Sequence, residues 1–369
     1  MSMYARALHV ENFRNFKDKQ LELSCGINIL VGHNAVGKTN LVEALQLLTA
    51  GTSFRHPVSL DLVRNGAGAA HASLRLEGEG RVLDMELTAQ DKRRSFARNG
   101  KKVAVSGVRG ILPSVLFCPD DLDMVKRSAR TRRDALDGFG AQLSSRYASL
   151  ASSYARVVEQ RNSLLKQPYL DEGLLRAWDE PLIAQGAGLM VHRRALLARI
   201  AARMDDAYGH VAPSEHLSLA YASTVLGREL FIDEEIPRAQ IEASFADRLF
   251  AERENERRRG MTLVGPHRDD VAIGVDGRAA RSFASQGQQR SLVLSWKIAE
   301  VKVACDILGR APLLLLDDVM SELDERRRSA ILDLIEGEVQ TVITTTNLGY
   351  FEGPVLARAE VFPVGEEHA

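Results

Sequence analysis

The segment GHNAVGKTN, residues 32–40, constrains this chain more than any other, because of what flanks it. Upstream, GINILVG packs β-branched residues between glycines and predicts a short buried strand. Downstream, TNLVEALQLLTA spaces Leu41, Ala44, Leu45 and Leu48 by three and four, which predicts a helix with one apolar face. A strand feeding a helix through G-x-x-x-x-G-K-[ST] is the phosphate-binding turn of an α/β sheet. Its glycines let backbone N–H groups converge on phosphates, and the helix N-terminus adds a positive dipole. Lys38 would bridge the β and γ phosphates and Thr39 would ligate Mg²⁺, so the pattern points to a nucleoside triphosphate. The competing reading is a glycine turn with an accidental lysine.

A second half is needed, and LLLLDD at residues 313–318 supplies a candidate. Four apolar residues ending in an acid describe a buried parallel strand that delivers Asp317 to a metal. Taken alone, a core strand running into a turn would explain it as well. Asp318 stands where an acid could orient an attacking water. Upstream, FASQGQQRS places Ser285 and Gly287 before a long amphipathic stretch, either as an ordinary N-cap or as a second anion site. Two anion sites and one γ-phosphate are reconciled by a symmetric dimer, in which each chain's second site meets its partner's nucleotide.

Organisation supports a discontinuous domain. Residues 69–105 alternate in the manner of antiparallel strands, with Asn99-Gly100 as a hairpin turn. Residues 131–166 carry apolar positions at helical spacing and predict one helix of about 35 residues. A second helical stretch covers 171–208, with Pro181 expected to kink or split it and residues 167–173 letting the two fold back antiparallel. A third covers 236–259, with Gly260 as its stop. Strand patterning returns after residue 260. Lys+Arg total 48 against Asp+Glu 49, so any polyanion must be met by local patches. Three dispersed cysteines, Cys25, Cys118 and Cys305, argue against a disulfide framework or a zinc site. The first residues lack a signal peptide's apolar region and no run suits a membrane span, so a cytoplasmic protein is expected.

The order of phosphate loop, helical insertion, S-x-G-Q signature, apolar strand with Asp-Asp, then SELD at residues 321–324 resembles the ATP-binding-cassette heads of the SMC superfamily. Within it, ENFRNF (11–16), VGKTNLVEA (36–44), TSFR (52–55), FCPDDLDMVK (117–126), RRDALD (132–137), GPHRDD (265–270) and SQGQQR (285–290) are similar to the RecF family of bacterial DNA-repair mediators. The resemblance covers essentially the whole chain. It implies an α/β fold: an ABC-type P-loop ATPase head, discontinuous, with an antiparallel β subregion and an inserted α-helical lobe. Residues 1–125 would form the N-terminal part of the head, 126–260 the helical lobe, and 261–369 the C-terminal part with signature, Walker B strand and D-loop.

The resemblance also implies a head-to-tail homodimer formed on ATP that binds DNA at gaps and single-strand–duplex junctions, acts with RecR and RecO, and promotes RecA loading. Hydrolysis would be weak, DNA-stimulated and used to reset the clamp. Carried over by residue, Gly32, His33, Asn34, Ala35, Val36, Gly37, Lys38, Thr39 and Asn40 hold ATP, and Thr39 with Asp317 holds Mg²⁺. Lys38 and Asp318 take the catalytic positions, while Ser285, Gly287 and Gln288 contact the partner's nucleotide.

The chain also departs from the pattern. Ala35 replaces a usual glycine, tolerable if its φ stays negative. Transporter cassettes carry Glu and a switch His where Asp318 and threonine near Thr345 stand, so slow hydrolysis is expected and the alternative, an ATP-binding subunit of a membrane transporter, loses support. A kinase has no use for the signature. No glutamine loop can be placed. Basic clusters at Lys92, Arg93, Arg94, Arg98, Lys101 and Lys102, at Lys126, Arg127, Arg130, Arg132 and Arg133, and at Arg193 and Arg194 are candidates for DNA phosphates or solvated surface. For GPHRDD, a role of His267 and Arg268 and a simple Pro-led turn both stay open.

Overall fold

The computed structural model describes residues 2–169, 171–335, 339–351 and 353–365. The chain begins with β1 (Tyr4–Phe13), β2 (Phe16–Glu22), β3 (Ile27–Val31), α1 (Lys38–Ala50), β4 (Ala69–Gly78), β5 (Arg81–Gln90), β6 (Arg93–Arg98), β7 (Lys101–Val103) and β8 (Ser114–Phe117). Next come α2 (Ala129–Leu143), α3 (Ser145–Leu165), α4 (Glu172–Val211), β9 (Leu217–Ser223), β10 (Arg228–Phe231), α5 (Arg238–Arg259), β11 (Asp270–Val275), β12 (Arg278–Ala279), α6 (Ala280–Phe283) and α7 (Gln286–Leu308). It closes through β13 (Leu313–Asp317), α8 (Glu325–Ile335), β14 (Thr341–Thr345), α9 (Gly353–Arg358) and β15 (Ala359–Pro363). Two compact units result: Met1–Leu122 with Leu294–Ala369, and Asp123–Val293.

The first unit holds two sheets. One is five-stranded and parallel, in the order β15-β3-β14-β13-β8. Its inner strands are apolar or threonine runs interrupted only by Asn28 in β3 and Asp317 at the end of β13, because both faces are covered; every residue of β13 and β14 is buried. The other is a six-stranded antiparallel sheet, β2-β1-β4-β5-β6-β7. Its last hairpin turns at Asn99 and Gly100 with φ of 50° and 72°, the left-handed pair that a two-residue primed turn requires. Helix α1 touches strands of both sheets. The single apolar face expected for it is therefore corrected: Val42 and Leu47 are buried along with Leu41, Ala44, Leu45 and Leu48. These side chains share one core with Leu30, Leu74, Leu87, Leu315 and Val342. Burial on this scale stabilises by about 1.5–3 kcal/mol per large aliphatic side chain.

The second unit combines α2 to α5 with the antiparallel sheet β10-β9-β11-β12. The long helix expected over 131–166 is two helices, because Ser144 is extended (φ −145°, ψ 119°) and its hydroxyl caps the Tyr147 N–H. The sequence hides this break, since Leu143 and Tyr147 keep helical spacing across it. Pro181 does not split α4, which is helical throughout its 40 residues. Helix α5 stops as expected at Gly260, whose φ is 63°. The compact unit ends at residue 293, not at the expected 260, because β11 is a ladder partner of β9 and brings the segment after α5 with it.

Candidate functional site

The loop after β3 opens at the carboxyl edge of the parallel sheet, where open α/β sheets gather ligands. Gly32 N–H donates to the Thr345 carbonyl at 3.3 Å, which registers the loop against the end of β14. Gly37 begins α1 with φ 108° and no side-chain cap, leaving the first-turn N–H groups free of a competing side-chain acceptor. A Cβ there would lie 2.5–2.7 Å from Asn15 and Phe16, so only glycine fits. Ala35 is a correction: its φ is +67°, not negative. A left-handed alanine costs about 1–2 kcal/mol, a strain the neighbouring fold must hold. His33, Asn34 and Ala35 form the exposed crest of the loop.

Lys38 is buried and donates through Nζ to the carbonyls of Gly32 at 2.7 Å and His33 at 2.8 Å. Burial lowers its pKa, partly offset by the charges of Asp318 and Asp317. From the next residue, Thr39 Oγ1 donates to Asp317 Oδ1 at 2.9 Å, and Thr344 Oγ1 donates to the same oxygen at 2.8 Å. Thr344 Oγ1 in turn accepts from the Asp318 N–H at 2.9 Å, so one β14 hydroxyl ties the Asp317 carboxylate to the Asp318 backbone. Asp318 adopts a left-handed φ of 53°. Burial raises the Asp317 pKa against the hydrogen bonds from Thr344 and Thr39, and burial also raises that of Asp318, with Lys38 opposing. A carboxylate short of positive charge beside a hydroxyl suits Mg²⁺, which takes one or two protein oxygens and completes its shell with water and phosphate. Among the described residues no group of three or more His, Cys, Asp or Glu forms a closed metal cage, consistent with so sparse a donor set.

Around the loop stand Arg14, Asn15, Glu43, Ser53 and Arg55, which lie in the quoted motifs but had no task assigned from the sequence. Asn15 Nδ2 donates to the Val36 carbonyl at 2.9 Å, and its Oδ1 accepts from Asn40 Nδ2 at 2.7 Å. Arg55 donates to Asn40 Oδ1 at 2.7 Å. Glu43, fully buried on α1, receives a two-pronged bond from Arg14 at 2.8 Å each and the Ser53 hydroxyl at 2.6 Å. A lone acid inside an otherwise apolar helix was the available signal. Farther along, Asp121 accepts the Cys118 N–H at 2.9 Å and pairs with Lys297 at 3.3 Å, which gives FCPDD a structural task.

In the second unit, Ser285 N–H donates to Gln288 Oε1 at 2.9 Å and Gln288 N–H donates to Ser285 Oγ at 3.2 Å. This is a reciprocal cap, and Ser285 remains exposed. GPHRDD forms a hub around His267 and Asp269, while Arg268 stays exposed. His267 Nε2 donates to the Thr262 carbonyl at 3.1 Å and Nδ1 accepts from the Tyr154 hydroxyl at 2.8 Å. Burial pushes its pKa down to about 4, so this tautomer is neutral. Asp269 takes Tyr221 Oη at 2.8 Å and both the N–H and the hydroxyl of Thr224 at 2.7 and 2.6 Å.

Two basic clusters are corrected in part: Lys126, Arg127 and Arg130 stay exposed, whereas the other four members do not. Arg132 is buried against Asp270, two bonds of 2.8 Å, and Arg193 against Asp137 at 2.6–2.8 Å. Arg133 and Arg194 donate to the carbonyls of Asp269 and Glu234. These four guanidinium groups are committed inside the fold. By contrast Lys92, Arg93, Arg94, Arg98, Lys101 and Lys102 are all exposed on the β6–β7 hairpin and its approach.

The fold and this loop-and-acid arrangement define an ABC-type P-loop ATPase head. Residues 4–359 match the family described as the RecF/RecN/SMC N terminal domain. The DNA replication and repair protein RecF of Symbiobacterium thermophilum is 41% identical over 349 residues, covering 94% of this chain and 92% of that one. A solved structure of the recombination mediator protein RecF with ATP, in the RecFOR pathway, superposes with a TM-score of 0.88 at 31% identity, covering 95% and 94%. The Smc head of Pyrococcus furiosus shares the fold alone, with a TM-score of 0.56 at 16% identity over 98% of this chain and 93% of that one. The chain belongs to the RecF family. No helix among the described residues is long and apolar enough to cross a membrane.

Proposed function

We propose that the chain is an ATP-dependent DNA-binding protein of recombinational repair. The observation that carries its ATP dependence is the 2.9 Å bond from Thr39 to Asp317, a hydroxyl and a buried acid joined at the mouth of a phosphate loop, and the RecF relatives support the rest. Residues 32–40 hold the triphosphate: backbone N–H groups surround the phosphates, and Lys38 exchanges its own loop carbonyls for β and γ oxygens. Thr39 and Asp317 hold Mg²⁺, which when bound neutralises charge developing on the transferred phosphoryl. Asp318 orients the attacking water and accepts its proton, and its raised pKa suits an acceptor. As aspartate it is one methylene shorter than the glutamate of transporter cassettes, so turnover is slow. A transporter's switch histidine has no counterpart at Thr345, whose hydroxyl donates to the Asn347 carbonyl at 3.0 Å.

Ser285, Gly287 and Gln288 of a second copy close the nucleotide, so ATP acts as the adhesive of a homodimer. DNA lies against the six free cations of the β6–β7 region through its backbone phosphates, since those residues offer charge and little aromatic surface. RecF relatives are DNA replication and repair proteins and one is a mediator of the RecFOR pathway, which supports RecR and RecO as partners and RecA loading as the outcome.

Sedimentation with and without Mg-ATP tests the reading. The wild-type chain should pass from monomer to dimer, and Lys38→Met and Ser285→Arg should each stay monomeric, the first without nucleotide bound and the second with it. A Ser285→Arg chain that dimerises normally would sink the shared-nucleotide arrangement.

A further inference from the structure

The second unit contains an open cavity of about 590 Å³ that plays no part in the reading above. One wall is a stripe of α5: Arg248, Glu252, Asn255 and Arg259 follow one another at spacings of four, three and four, the rhythm of a single helix face. The facing wall is the β9–β10 turn, with Thr224, and the segment after α5, where Arg268 stands beside Leu263 and Val264.

What distinguishes this cavity is the state of its arginines. Elsewhere on α5, Arg253 pairs with Asp179 and Glu172, Arg257 with Glu172 at 3.1 Å and Glu254 at 3.6 Å, and Arg258 donates to Asn255 Oδ1. Arg248 and Arg259 have no hydrogen-bond or ion-pair partner among the described residues. Arg268 donates only to the Thr262 carbonyl at 3.2 Å and the Met261 sulfur at 2.8 Å. The lining's one acid, Glu252, accepts from Asn255 Nδ2 at 2.7 Å. Three arginines thus line one concave space with a single carboxylate among them, an excess of positive charge that an anionic occupant would offset. Arginine's planar fork matches carboxylate oxygens two at a time.

The shape narrows the occupant further. A space of this size takes a few side chains, not the convex body of a duplex. No aromatic side chain among the described residues lines it, so it offers no ring for a base to stack on. Leu263 and Val264 give it an apolar floor beside the charges. We propose that this cavity binds an acidic peptide segment of a protein partner, with glutamate or aspartate carboxylates on Arg248, Arg259 and Arg268 and an interspersed apolar side chain against Leu263. This docking site is separate from the nucleotide loop and does not depend on it.

The test uses the full chain and a fluorescein-labelled peptide of alternating glutamate and leucine, read by anisotropy. Wild type should bind it, and Arg248→Ala/Arg259→Ala should weaken binding by about tenfold or more, because two charge-assisted bonds are lost. Lys101→Ala/Lys102→Ala, which removes exposed charge on the other unit, should leave binding within about twofold. Thermal melts of each variant check that the fold is intact, as expected for exposed arginines without partners. Equal binding by wild type and the Arg248/Arg259 variant overturns the proposal. So does displacement of the peptide by inorganic phosphate or by duplex DNA through those same arginines, which would make the cavity a phosphate or nucleic-acid site.

Discussion

Buried charge is arranged in two opposite ways in the two units of this molecule. In the second unit the charges close on one another. Arg161, fully buried, donates to Asp179 at 2.9 Å, Thr262 Oγ1 at 2.9 Å and Glu256 at 2.6 Å, while the remaining Glu256 oxygen takes the Leu263 N–H at 2.8 Å. Around the phosphate loop the charges stay apart. Lys38 leans on loop carbonyls and Asp317 on two hydroxyls, and burial pushes the lysine pKa down and both acids' up. A closed network has spent its charges on stability, whereas groups each displaced toward neutrality mark a place that an external charge completes. Glu43 shows that the distinction follows local chemistry and not the unit: it sits on the loop's own helix, yet Arg14 and Ser53 close around it.

The largest effect that could break this comparison is on stability. Arg161→Met should leave Glu256 buried without its counter-charge and cost about 3–5 kcal/mol, read as a fall in the urea midpoint, with ATP affinity unchanged in whatever remains folded. Lys38→Met should do the reverse, altering stability by less than about 1 kcal/mol while abolishing measurable ATP binding, because it removes a cation that burial already disfavours. If Lys38→Met unfolded the chain and Arg161→Met did not, the two arrangements would have been assigned the wrong way round.

A smaller effect probes the shell around the loop. Asn15→Ala removes the donor to the Val36 carbonyl and the surface on which Gly37 packs, so ATP affinity should fall by about tenfold, near the worth of one hydrogen bond. Calorimetric titration would check it, and an unchanged affinity would reduce Asn15 to a bystander.

The sequence made the loop legible because its chemistry is local: a strand, two glycines, a lysine and a hydroxyl are consecutive. Asp317 was legible for a similar reason, as the polar end of an apolar strand. The rest was hidden by distance. Nothing in ENFRNF says that Arg14 will meet Glu43 on α1 and Asn15 will meet Val36, since those contacts form only when β1 and β2 assemble beside α1. Arg132, Arg133, Arg193 and Arg194 were misread for the same reason. RRDALD reads as exposed charge until Asp270, 138 residues away, takes up Arg132. Ser144 was invisible because an N-cap need not interrupt apolar spacing. Ala35 was misjudged because residue type constrains φ only statistically, and this loop holds an alanine where glycine would rest more easily.

The smallest effect is the most pointed, because it asks whether Asp317 is strained by its own charge. Its pKa is raised in the folded chain, first by burial, so folding favours the neutral form. The contribution to stability is present in full below the ordinary carboxylate range and is lost as pH rises through the raised value. At neutral pH the ionised group is therefore a net cost to the nucleotide-free chain. Asp317→Asn keeps an oxygen for Thr39 and Thr344 and removes that charge, so its melting temperature at neutral pH should exceed wild type by a few degrees at most. The advantage should vanish on acidification, as wild type becomes neutral too. Mg-ATP should invert the order, stabilising wild type and leaving Asp317→Asn nearly where it was. A variant that melts below wild type at neutral pH without nucleotide would place Asp317 among the closed, structural charges and remove the physical basis for separating the two arrangements.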